Sequence, residues 1–251
     1  MDIKKLRGIL VVFLGISTML LNSCTQNEGF GGSSHIKGKM VTRYFNHDFT
    51  VFQGEEPAVD EEVFILFGDN SNIGDNTDTS FDGTFEFEYL WPGKYQLFVK
   101  TDDSTGVSLD QTTIKYNIDL KKSETNNIGT IYNYKALDWD EGKAKISGKI
   151  IVTNYKNTSV YPNLEIKDIG PAQEQEVYLT YNNEDFYCER IRSQADGSYV
   201  FPNLLIGKYT VFVYSEDVIT NNTANIVKKV EVEITERNQE IVLNDIHIDK
   251  L

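Results

Sequence analysis

The sequence predicts an all-β protein: two antiparallel β-sandwiches in tandem, behind an N-terminal processing signal. Three observations predict it. Asp82 to Val99 (DGTFEFEYLWPGKYQLFV) recurs as Asp196 to Val213 (DGSYVFPNLLIGKYTVFV), always 114 residues on, with nine of eighteen positions identical. From His35 onward, short β-branched and aromatic runs alternate with clusters of Gly, Pro, Asn and Asp, the pattern of strands and turns. Beyond the first two dozen residues no stretch keeps a helical period. A repeat this long implies a duplicated domain, and about seven short strands per hundred residues points to a sandwich.

The chain opens with Lys4, Lys5 and Arg7 ahead of an apolar run from Gly8 to Leu21. That run falls short of the roughly 20 apolar residues a transmembrane helix needs, so it reads as a signal peptide. Leu21-Asn22-Ser23-Cys24 resembles a bacterial lipobox, which implies cleavage after residue 23 and a diacylated Cys24. Lipidation turns a spanning segment into an anchor, since each buried CH₂ contributes about 0.8 kcal/mol. The expected location is the cell envelope, at the outer membrane, facing the periplasm or the surface. Residues 24–34, rich in Gly and Ser, are expected to be a flexible tether.

The chain carries a net charge of −14, and from Cys24 onward 21 Lys and Arg face 37 Asp and Glu, a net −16. This argues against nucleic acid as a partner and against a basic membrane-binding face. With Cys24 acylated, Cys188 is left alone. No internal disulfide is then available, and both domains must rest on core packing. Cys188 itself is expected to be a structural thiol.

Domain 1 is expected over residues 35–134, a polar linker over 135–143 (KALDWDEGK), and domain 2 over 144–251. Ile36–Val41 and Ile146–Ile151 open the two domains at an offset of 110, so domain 2 carries four extra residues before the register returns to 114. Glu62–Leu66 and Glu176–Thr180 are the next matched strands. In the repeated stretch, Asp-Gly supplies a positive-φ turn. Phe85 and Phe87, or Tyr199 and Phe201, share one strand face. Tyr95, Leu97 and Val99, or Tyr209, Val211 and Val213, alternate inward. Thr113–Leu120 and Ile128–Tyr134 complete domain 1; Ile226–Ile234 and Gln239–Ile248 complete domain 2.

An early G-K followed by D-G-[ST]-[FY]-x-F-x-x-L-x-x-G-K-Y-x-[LV] resembles the carboxypeptidase regulatory-like domain, a transthyretin-like Greek-key sandwich. The resemblance covers most of residues 35–251 and is strongest at Asp82–Val99 and Asp196–Val213. It implies two Greek-key sandwiches and a non-catalytic module of secreted or cell-surface proteins.

Catalytic motifs are missing from the sequence. His35 and His47 do not sit in a His-x-x-Glu pair, no G-x-S-x-G occurs, and three scattered histidines without a cysteine cluster make no transition-metal motif. The reading is therefore not an enzyme and needs no cofactor; the alternative is a hydrolase with an unrecognised carboxylate site. Asp69, Asp75 and Asp78 in DNSNIGDNTD are weak calcium candidates, because the stretch fails the EF-hand pattern at Ile73 and Ser80. Trp91, replaced by Leu205 in domain 2, is a candidate anchor for a sugar ring or a partner protein, with packing against the neighbouring loop as the plainer alternative. The expected partners are the membrane, through the lipid, and a surface glycan or another envelope protein. Val99 and Val213 stand where the collagen-adhesin B-type repeat places the Glu that promotes a Lys–Asn isopeptide bond, so none is expected.

Overall fold

Each half of the chain folds as two stacked sheets, and the strands of one half reappear in the other. The structure is a computed structural model and describes residues 27–103, 105, 111–158, 161–182, 184–220 and 225–251. The signal segment and Cys24 lie outside the described residues. In domain 1 the strands are β1 (Phe30–Asn46), β2 (Phe52–Pro57), β3 (Glu62–Phe67), β4 (Asp75–Asp78), β5 (Thr84–Leu90), β6 (Gly93–Asp102), β7 (Gln111–Leu120) and β8 (Thr125–Leu137). Domain 2 follows with β9 (Ala144–Tyr155), β10 (Ile166–Pro171), β11 (Glu176–Tyr181), β12 (Glu189–Arg192), β13 (Ser198–Leu204), β14 (Gly207–Ser215), β15 (Ile226–Ile234), β16 (Glu240–Val242) and β17 (Ile246–Lys250).

The first sheet of domain 1 is built on the long strand β1. It pairs antiparallel with β5 near its start and β2 near its end, and parallel with β8 along its other edge. The second sheet runs β4-β3-β6-β7, all antiparallel. Domain 2 repeats both sheets, with β9 at the centre of the first and β12-β11-β14-β15 as the second. Its last strand is broken into β16 and β17, both parallel to β9. The antiparallel sandwich is thus the observed architecture, with one parallel pairing, first strand against last, in each copy.

Alternation does what the sequence predicts. Phe85, Phe87, Leu90, Tyr95, Leu97 and Val99 are buried with Ile36, Met40, Val63 and Ile65 between the sheets of domain 1. Tyr199, Phe201, Leu204, Tyr209, Val211 and Val213 occupy the matching core of domain 2. Complete burial of side chains of this size contributes roughly 1.5–3 kcal/mol each. The four extra residues of domain 2 fall in the β9–β10 connection.

Two boundaries differ from expectation. Strand β1 begins at Phe30, so residues 30–34 are sheet rather than tether; Ser34 is fully buried and its hydroxyl donates to the Lys121 carbonyl at 2.8 Å. The physical reason is a close backbone approach that Gly/Ser content permits: a Cβ on Gly32 would stand 2.0 Å from the Leu90 carbonyl oxygen. Gly142 meets the Leu204 carbonyl in the same way, at 1.9 Å, so the repeat reaches back to 32 and 142. The linker is also shorter than 135–143: β8 runs to Leu137, and Leu137 and Trp139 pack against the domain 2 core.

The two sandwiches are joined by more than the chain. Gln53, 2% exposed, donates its amide N–H to the Ile206 carbonyl at 2.9 Å and accepts the Ile206 N–H at 2.7 Å. Glu56 accepts from Arg237 at 2.7 Å and Lys143 at 3.3 Å, and Arg237 lies over the Tyr44 ring. A buried amide satisfied on both sides by backbone specifies one orientation, because any other leaves those groups unpaired.

Candidate functional site

The residues shared by both copies have structural work. Asp82 Oδ1 accepts from the Thr84 N–H at 3.1 Å and the Thr84 hydroxyl at 2.8 Å; Asp196 does the same with Ser198 at 3.0 and 2.6 Å. These bonds explain the Thr/Ser two places on. Hydrogen bonds from Ser80 and Thr84 hold the Asp82 carboxyl down at about 2, and Ser198 lowers that of Asp196. Gly83 and Gly197 take φ of 82° and 77°, and Gly93 and Gly207 also have positive φ. The repeated tyrosine is a tether rather than a simple core ring: Tyr95 donates to the Trp91 carbonyl at 2.6 Å and Tyr209 to the Leu205 carbonyl at 3.0 Å. On the outer face, Phe98 stacks on Phe64 at 4.8 Å and Phe212 on Tyr178 at 5.0 Å.

The sequence candidates are dispersed. Asp69 follows β3, while Asp75 and Asp78 lie on β4 opposite Ile65 and Glu62 and, three residues apart, face opposite sides of the strand. The structure does not bring the three carboxylates together: among the described residues the one set of three or more donors close enough for a shared ion is elsewhere. Trp91 is half-buried; its backbone N–H donates to the Gly29 carbonyl at 2.8 Å and its indole lies against Gly31. It closes the domain over the start of β1. Cys188 is partly buried against the domain 2 core, donates to the Leu179 carbonyl at 3.4 Å, and burial pushes its thiol up to about 12. Such a thiol is far from a reactive thiolate.

The copies differ in two places that the sequence reading passed over. In domain 1, His35 of β1 faces Glu86 and Glu88 of β5, with Nδ1 3.4 Å from Glu86 Oε1 and 4.0 Å from Glu88 Oε1. Strand pairing brings them together across fifty residues of sequence, so no spacing motif announces the group. The outward alternation of Glu86 and Glu88 around Phe87 was the available signal. In domain 2, the outer face of the second sheet carries an aromatic cluster. Tyr187 and Tyr214 pack edge-on to Tyr178 at 5.2 and 5.4 Å, and Tyr178 donates to Glu176 at 2.6 Å. Arg190 and Lys229 flank the Tyr178–Phe212 row in register, and Phe186, the residue before Tyr187, is 82% exposed. The equivalent of Tyr214 in domain 1 is Lys100, set over Phe64. Surface depressions are open, such as the one of about 470 Å³ lined by Asp69, Lys94, Gln96, Asn117 and Asp119.

No protein-family model matches the chain, and no curated protein matches it. Solved structures do align. The Bacillus anthracis TIE protein matches at 17% identity over 88% of this chain and 34% of its own, with a TM-score of 0.29. GBS52, the minor pilin of Streptococcus agalactiae, matches at 10% identity over 86% and 96%, with a TM-score of 0.28. A DUF3823 family protein from Bacteroides uniformis matches at 10% identity over 80% and 99%, with a TM-score of 0.18. This chain spans about a third of the TIE chain. At such TM-scores none of these likenesses decides a function, and the β-sandwich assignment stands on the strands themselves. No helix among the described residues is long and apolar enough to cross a membrane.

Proposed function

We propose that the chain is a non-catalytic, extracytoplasmic binding or assembly module, held at the outer membrane by lipid on Cys24. The observation that carries this reading is the joint. Gln53 and the Glu56–Arg237–Lys143 group bond the two sandwiches to each other side by side, a form suited to presenting a surface rather than to enclosing a substrate. The resemblance of Asp82–Val99 and Asp196–Val213 to the carboxypeptidase regulatory-like domain supports it, because that domain is usually non-catalytic. Since β1 already begins at Phe30, a lipid on Cys24 would hold domain 1 close to the membrane and leave domain 2 as the outer unit. The aromatic cluster of Tyr178, Tyr187, Phe212 and Tyr214 is the surface we assign to a glycan or an envelope protein in that outer unit.

Membrane fractionation of cells expressing the native chain and Cys24→Ala tests the anchor: the variant is expected in the soluble fraction, and a variant still sedimenting with membranes overturns it. Glycan-array and partner-capture measurements on Tyr178→Ala and Tyr214→Ala test the surface. Loss of saccharide binding assigns it to carbohydrate uptake and loss of a fixed protein partner to surface assembly. Unchanged binding in both overturns the assignment.

A further inference from the structure

We infer that His35, Glu86 and Glu88 form a site for a divalent transition-metal ion of the zinc type. Their donor atoms lie within 4.8 Å of one another. Donors on a tetrahedral zinc sit about 2.0–2.2 Å from the metal, hence about 3.3 Å apart. The 3.4 Å and 4.0 Å separations from His35 Nδ1 are near that value.

Nδ1 of His35 is shielded from solvent and has no hydrogen-bond partner, and the groups closest to it are two carboxylates. A buried ring nitrogen beside two carboxylates and without a hydrogen-bond partner is costly. A cation between the three donors removes that cost and neutralises the paired carboxylates. An imidazole with two carboxylates is a donor set that suits zinc better than calcium, which prefers six to eight oxygens. Three protein donors also leave a fourth position open for water or for a donor from a partner.

The scaffold is firm. His35 stands opposite a bulge in β5, where the register shifts between Ser34 and Ile36 and Tyr89 takes φ 57°. The Tyr89 ring lies 5.7 Å from the imidazole. Bulges re-aim side chains at sheet edges and beside sites. Domain 2 keeps the bulge, with Asn203 at φ 57° and a matching register shift, but its residues at the three donor positions are Lys145, Val200 and Pro202. The fold therefore requires the bulge and not the donors. Lys37 lies across from Glu86.

The test is isothermal titration and thermal melting of the full chain, purified without a histidine tag, with zinc chloride and, separately, calcium chloride. One zinc per chain is expected, with a dissociation constant in the micromolar range and a rise in Tm. His35→Gln, Glu86→Gln and Glu88→Gln should each weaken zinc at least tenfold while keeping the zinc-free Tm. His47→Gln and His247→Gln should bind as the native chain does. Three results overturn the site: no saturable zinc binding, zinc binding that survives His35→Gln, or calcium binding equally well, which would mean adsorption to an acidic surface. A His35→Gln variant that loses zinc only because it unfolds is recognised by its zinc-free melt, and Glu88→Gln then decides.

Discussion

Domain 1 and domain 2 have one set of strands, one bulge and one tyrosine tether, yet their outer surfaces have little in common. Most of what the copies share is interior or satisfies backbone: the Asp-Gly turn, the paired aromatics, the Leu–Tyr connection and the inward Val; the stacked pair on the outer face, Phe98 on Phe64 and Phe212 on Tyr178, is shared as well. What sets their outer faces apart is His35–Glu86–Glu88 in one and, around the shared stack, Tyr187 and Tyr214 in the other. Duplication separates two demands that are confounded in a single domain. Residues retained in both settings are those the sandwich needs, and the remainder are available for chemistry.

The comparison can be broken at its core first. Phe87→Ala and Phe201→Ala remove equivalent buried rings and should each cost about 3–5 kcal/mol in denaturant unfolding. Clearly unequal losses would mean that the copies do not bear equal loads. Gln53→Ala should cost about 1–3 kcal/mol, because it strands the Ile206 N–H, while the Ile206 carbonyl keeps the Tyr181 hydroxyl. Calorimetry should then show two resolved transitions where the native chain shows stronger coupling; a single unchanged transition would refute the coupling through Gln53.

A finer contrast lies in the tyrosines. Tyr209→Phe and Tyr95→Phe lose a hydroxyl bonded to the carbonyl four residues back; the first should cost about 1 kcal/mol and the second more, since the Tyr95 hydroxyl also accepts the buried Gly29 N–H. Tyr199 has no partner for its buried hydroxyl, and domain 1 has Phe85 at that place. Tyr199→Phe should therefore be neutral or stabilising by the same measurement. The smallest effect concerns acid. The folded-state pKa of Asp82 is depressed to about 2, so its contribution is present above the unfolded value near 3.8 and is lost as pH falls toward 2. Asp82→Asn keeps the turn acceptor and removes the titration, so the acid limb of a stability–pH curve should flatten over that window.

Much of this fold was legible in the sequence because the information was local and stated twice. Alternation placed Phe85 and Phe87, Leu97 and Val99, and the Asp-Gly turns announced themselves. Errors came where a residue's role depended on something distant. Gly32 reads as linker until the Leu90 carbonyl is set beside it. Asp69, Asp75 and Asp78 read as one cluster until strand β4 turns two of them to opposite faces. His35 reads as isolated until β1 pairs with β5. The hydroxyl tethers of Tyr95 and Tyr209 were equally hidden, since a core strand predicts an aromatic ring and not the reach of its oxygen.

The most direct test of the division between fold and function is to give domain 1 the outer residues of domain 2. The triple variant His35→Lys, Glu86→Val, Glu88→Pro copies the Lys145, Val200 and Pro202 arrangement that the same bulge already accommodates. Its thermal melt should match the native chain without zinc and no longer respond to zinc. A variant that fails to fold, or one whose Tm still rises with zinc, would contradict the account.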